Sequence, residues 1–141
     1  MEITSWEKLY RKAQDALLGE KFLTPLMKGG YVSAALLTNK GNIYTAVNID
    51  CRCALGYCAE RFAAYKVFEA NKNEKIVRLV CLYRDKGPTL PCGACREFLM
   101  QFDKDAGNIE ILLDLKTHKT IKLSDTMPYY WGQSKYQNAT V

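Results

Sequence analysis

Two short segments, Cys58-Ala59-Glu60 and Pro91-Cys92-Gly93-Ala94-Cys95, constrain the fold of this chain more than anything else in it. Each opens a run with helical spacing. From Cys58 to about Ala70 the apolar residues Ala59, Phe62, Ala63, Val67 and Phe68 recur at helical intervals, and from Cys92 to about Phe102 the pattern turns Phe98 and Leu99 inward. Positions three apart share a helix face, so Cys92 and Cys95 suit a single metal ion. Both helices begin at a cysteine, where the partial positive charge of a helix N-terminus favours the thiolate a metal needs. A fold that brings the two N-termini together supplies three thiolates and leaves a fourth tetrahedral position free, as in catalytic zinc sites. Glu60, two residues after a ligand, is placed to reach that position and to move protons there. Arg61 and Arg96, each adjacent to a site residue, are candidates to hydrogen-bond the ligand sulfurs and offset their surplus negative charge.

The remaining pattern supplies the frame. Ser5 to Leu18 places Trp6, Leu9, Ala13, Ala16 and Leu17 near one helical face, with Ser5 as N-cap and Gly19 as stop. Tyr31–Thr38 and Ile43–Ile49 read as a β-hairpin around Asn39-Lys40-Gly41-Asn42. Ile76–Tyr83 is a nearly continuous apolar run, as in a strand buried on both faces. Ile109–Leu115 and Thr120–Leu123 read as two further strands. This order predicts a single α/β domain over residues 1–141, built on a mixed five-stranded sheet with helices packed on it. A helix between the second and third strands, and another before the fourth, predicts parallel pairing at both places.

The formal charge of +5 is spread over helices and turns, which describes a solvated basic surface and not a nucleic-acid site. No apolar run approaches the roughly 20 residues a membrane span needs. The start, Met1-Glu2-Ile3-Thr4-Ser5-Trp6, lacks the basic and apolar regions of a secretory signal, so a cytoplasmic location is expected. There, six cysteines are metal ligands or reduced thiols and not a disulfide framework. Cys81 falls in an apolar strand and reads as core. Cys51 and Cys53 read as loop thiols, and the single histidine, His118, falls in a surface turn. A closed structural site with Cys51 or Cys53 as fourth ligand is the competing reading of the metal cluster; it gives Glu60 and Arg61 no part.

Leu55-Gly56-Tyr57-Cys58-Ala59-Glu60-Arg61 and Pro91-Cys92-Gly93-Ala94-Cys95-Arg96 together resemble the signature of the cytidine deaminase family, and the likeness runs from about Tyr31 to Trp131. The resemblance implies a three-layer α/β/α sandwich, Zn²⁺ held by Cys58, Cys92 and Cys95, and Glu60 as proton shuttle. It implies a small-molecule nucleoside substrate, hydrolysed at C4 of a cytosine ring with release of ammonia. Cysteine as first ligand is similar to the nucleoside enzymes and to blasticidin S deaminases; nucleotide and polynucleotide deaminases usually carry histidine there. In the family an Asn-x-Glu holds the ribose hydroxyls, and the matching residues here are Asn48 and Asp50, the latter a shorter carboxylate. The same resemblance adds Ala59 and Trp131 to the substrate-binding set.

A family phenylalanine that packs on the base has Gly30 in its place, ahead of Tyr31-Val32-Ser33-Ala34-Ala35; strand alternation turns the adjacent Tyr31 to the opposite side. Blasticidin S deaminases resemble this chain in that stretch. Met127-Pro128-Tyr129-Tyr130-Trp131-Gly132 resembles the ending of the short tetrameric cytidine deaminases, where the aromatic covers a site, often a neighbour's. A homotetramer is what this likeness implies. A blasticidin-S-type deaminase, a polynucleotide-editing deaminase and a non-enzymatic zinc protein are the alternatives.

Overall fold

Local chemistry starts the first helix where the sequence places it. The helix α1 spans Trp6–Ala16, and the Ser5 hydroxyl accepts the Lys8 backbone N–H at 3.2 Å, satisfying one of the orphan donors of the first turn. Trp6, Leu9 and Ala13 are buried along one face. The computed structural model describes residues 4–84 and 86–137, so the expectation drawn from Met1-Glu2-Ile3 lies outside the described residues. No helix in it is long and apolar enough to cross a membrane.

The strands are β1 (Lys21–Thr24), β2 (Met27–Thr38), β3 (Ile43–Cys51), β4 (Ile76–Tyr83), β5 (Glu110–Asp114) and β6 (Lys119–Lys122), and they form one mixed sheet. The sheet therefore has six strands, not five. The extra one, β1, carries four exposed residues and so shows no alternation of burial by which the sequence could mark it. It pairs antiparallel with the start of β2, whose Met27–Gly29 also bond β3. Since β3 takes one edge of β2 there, β1 must take the other, the edge that β4 occupies further along.

The parallel pairing expected between β3 and β4 is absent. The helix α2 (Ala59–Ala70) carries the chain across β2, so β3 and β4 lie on opposite sides of that strand and each pairs with it antiparallel. Both run in the same direction without touching as neighbours. The expected parallel pairing does occur between β4 and β5, and β6 then closes the sheet antiparallel to β5.

Period-2 alternation on the central strands divides the core into two layers. Ala34, Leu36, Leu79 and Cys81 face α2 and the helix α3 (Gly93–Met100), where Ala59, Ala63, Val67 and Leu99 pack on them. Ala35, Leu37, Val80 and Leu82 face α1, against Trp6, Leu9 and Ala13. This is the α/β/α sandwich, with α2 and α3 on one side of the sheet. A last helix, α4 (Gln133–Gln137), follows near the end of the described chain.

Candidate metal centre and cleft

The two cysteine-led helices start side by side. Cys58 is the N-cap of α2 and Cys92 the N-cap of α3, each in extended backbone conformation, and Cys95 lies one turn into α3. The Sγ atoms of Cys58 and Cys92 are 3.6 Å apart, those of Cys92 and Cys95 3.5 Å apart. A tetrahedral zinc with bonds of about 2.3 Å to sulfur sets its ligands about 3.8 Å apart, so the three sulfurs stand near the spacing of three corners of one tetrahedron. Cys51 and Cys53 lie outside this cluster, which leaves no fourth thiolate to close it among the described residues. His118 pairs with Glu7 of α1 at the surface.

The donor set is tuned unevenly. At Cys92 burial disfavours the thiolate, but the Cys95 backbone N–H and the two neighbouring thiols outweigh it and hold the pKa below the usual cysteine value. Burial lifts Cys58 above its usual value, partly offset by Arg61, whose Nη2 donates toward Cys58 Sγ at 3.8 Å. Cys95, fully buried, is pushed far up by burial and then by the Glu60 carboxylate, whose Oε2 accepts from its Sγ at 3.2 Å. Three sulfurs this close, with a carboxylate beside them, call for a cation to hold them as thiolates.

The Arg61 guanidinium, besides reaching Cys58, stacks over the Tyr57 ring at 4.1 Å. Arg96 Nη1 donates to the Thr126 carbonyl at 3.1 Å, which ties α3 to the C-terminal segment.

A cleft of about 640 Å³ opens beside the sulfurs, lined among others by Cys58, Cys92, Glu60, Asn48 and Asp50. Glu60 lies in the first turn of α2, only 4% exposed yet lining the cleft. Ala59 is fully buried in the core against the sheet and does not line it. Trp131 does not line it either. It is 63% exposed, and its indole N–H donates to Glu97 on α3.

Tyr31 is the residue that sequence reasoning placed on the wrong side: it lines the cleft. Between Gly29 and Ser33 strand β2 advances four residues while β3 advances two, from Ile49 to Val47, and this bulge breaks the alternation. Gly30 makes the bulge possible with φ of +89°, a conformation costly for any residue with a Cβ. The Asn48 side-chain oxygen fills it, accepting the backbone N–H groups of Gly30 and Val32 at 3.1 and 3.0 Å. Asn48→Ala strands the buried Gly30 donor and the part-buried Val32 donor, and the expected loss is about 1–3 kcal/mol for the first and less for the second; urea denaturation checks it, and an unchanged midpoint would contradict this role. Tyr57, Tyr83, Thr89 and Leu90 also line the cleft. Tyr57 falls within the signature segment, but no motif marks Tyr83, Thr89 or Leu90; the Thr89 N–H bond to the Cys81 carbonyl at 2.9 Å folds the loop of Thr89 and Leu90 over the end of β4.

Residues 6–109 match the sequence profile of the cytidine and deoxycytidylate deaminase zinc-binding region. Over 95 residues the chain is 38% identical to a probable cytidine deaminase of Dictyostelium discoideum, covering 66% of this chain and 61% of that one. Over 71 residues it is 34% identical to a cytidine deaminase of Halalkalibacterium halodurans, covering 50% and 53% respectively. The chain thus matches between half and two thirds of the length of these curated relatives. The crystal structure of cytidine deaminase from Mycobacterium tuberculosis superposes with a TM-score of 0.75 over 92% of this chain and 98% of that one, at 22% identity, a likeness of fold. With its three sulfurs, its buried glutamate and a profile match that spans both cysteine segments, the chain belongs to the family of the cytidine and deoxycytidylate deaminase zinc-binding region.

Proposed function

We propose that this chain hydrolytically deaminates a cytosine nucleoside, with Zn²⁺ on Cys58, Cys92 and Cys95 and Glu60 carrying the protons. The observation that carries this reading is Glu60 itself. It is a carboxylate buried to 4% exposure, on the first turn of a helix, facing both a cleft and the sulfur cluster. Zinc, when bound, supplies the Lewis acidity that makes water a nucleophile near neutral pH. The Glu60 carboxylate accepts the proton that the attacking water gives up. It delivers that proton to the ring nitrogen N3, then takes the second proton from the new C4 hydroxyl and hands it to the departing amine. One C–O bond forms at C4, the C4–N bond breaks, and ammonia leaves. Val32, Tyr57 and Leu90 offer the walls for a flat base, and Asn48 and Asp50 the polar end for a sugar.

A single domain over residues 1–141, a cytoplasmic setting and a role in pyrimidine salvage belong to the same reading; free cysteines support the setting. So does a homotetramer, favoured by the exposed apolar residues Phe22, Leu23, Leu26 and Phe68 and by an exposed Trp131 available to a neighbour. No nucleic-acid or membrane partner is part of it. The test is ammonia release by zinc-loaded protein from cytidine, deoxycytidine, deoxycytidylate, blasticidin S and single-stranded DNA. Turnover of the two nucleosides ahead of the rest is expected. Turnover of blasticidin S or DNA alone, or of none, contradicts the reading.

A further inference from the structure

Tyr31 is fixed in the cleft from every side. Its ring stands edge-on to Tyr83, centroids 6.1 Å apart. The Lys28 ammonium and the Arg84 guanidinium lie 5.8 and 5.4 Å from its centroid, and both are tied to Glu20, at 2.9 and 3.6 Å. Its hydroxyl donates to Oδ2 of Asp50, and Asn48 Nδ2 reaches Oδ1 of the same carboxylate at 3.4 Å. With its one proton committed to Asp50, the phenol oxygen has only acceptor capacity left, and an ionised Asp50 is an acceptor throughout. The hydrogen bond to Asp50, burial and the carboxylate charge push the Tyr31 pKa up to about 12, so the phenol remains neutral and keeps that proton.

We propose that Tyr31 is a specificity-determining residue of the cleft: with Asp50 it forms a clamped pair of acceptors that selects ligands carrying adjacent hydroxyl donors, the 2′,3′-diol of a ribonucleoside. The inference rests on reading the cleft as a nucleoside site and adds to it a residue outside the family's sugar-binding motif. Each oxygen of the pair takes one hydroxyl proton. A sugar without those donors leaves both acceptors desolvated and unpaired, and that penalty is the source of the selectivity. Rigidity strengthens it, because the cations, Tyr83 and the bulge leave the ring no ordering to do on binding.

Uridine and 2′,3′-dideoxyuridine carry no amino group to lose, so they report binding without turnover. Titrated by calorimetry into zinc-loaded protein, the native chain is expected to prefer uridine. Tyr31→Phe keeps the ring and its clamp, and is expected to shrink that preference by about threefold to tenfold at unchanged zinc content and thermal midpoint. An undiminished preference in Tyr31→Phe overturns the role of Tyr31 and leaves the nucleoside site standing. Equal affinity of the native chain for both ligands also overturns it. Binding of neither ligand overturns the nucleoside reading and this inference together.

Discussion

Glu60→Ala is expected to retain its zinc and to lose turnover by at least about 10²–10⁴-fold, the range that general acid–base catalysis contributes by itself. The reasoning is local. Glu60 is not one of the three clustered sulfur donors, so removing its carboxylate leaves Cys58, Cys92 and Cys95 to hold the metal. It also removes a negative charge that raises the Cys95 pKa, so zinc uptake should be undiminished. What is lost is the carboxylate that, among the described residues, faces both the sulfurs and the cleft. Metal analysis and steady-state kinetics on the same preparation check it. Activity retained in the variant would remove Glu60 from the chemistry.

Cys95→Ala is expected to act in the opposite order, losing the metal first and the activity as a consequence. Cys95 is fully buried, and its sulfur stands 3.5 Å from that of Cys92. Two remaining thiolates bind zinc poorly, and the loss should exceed the roughly 10–100-fold that removal of an outer partner of a metal ligand costs. Stability supplies a second readout. A ligand at 100 times its dissociation constant stabilises the folded chain by about 2.7 kcal/mol, so zinc should raise the thermal midpoint of the native chain and leave that of Cys95→Ala almost unmoved. The native chain should also take up zinc less well as pH falls. Burial lifts the Cys58 and Cys95 thiols above their usual values, so protons compete for both sulfurs from the alkaline side downward. Uptake independent of pH would contradict thiolate ligation.

The sequence revealed the metal cluster because its chemistry is local. Cys92 and Cys95 are one helical turn apart, so spacing alone implies their shared face, whereas the meeting of the Cys58 and Cys92 helix ends was implied by the family resemblance. The helices α1 to α3 and the strands β2 to β6 follow from local hydrophobic pattern for the same reason. The order of strands was less legible: only the structure shows that the crossover by α2 skips β2, because hydrophobic pattern carries burial and not adjacency. The strand β1 was invisible, having no buried face to pattern it. Tyr31 was misplaced because alternation assumes an unbroken strand, although the Gly29-Gly30 pair was the available sign of a bulge. The Arg96 hydrogen bond to the Thr126 carbonyl was not legible, because that partner comes from a distant segment.

The central claim is hydrolytic replacement of an amino group by oxygen from water. The direct measurement is mass analysis of the product after zinc-loaded protein acts on cytidine in H₂¹⁸O, with Glu60→Gln as control. The account predicts uridine bearing one ¹⁸O at C4, ammonia in equal amount, and neither from the control. Unlabelled uridine, ammonia without uridine, or equal turnover by Glu60→Gln would contradict it.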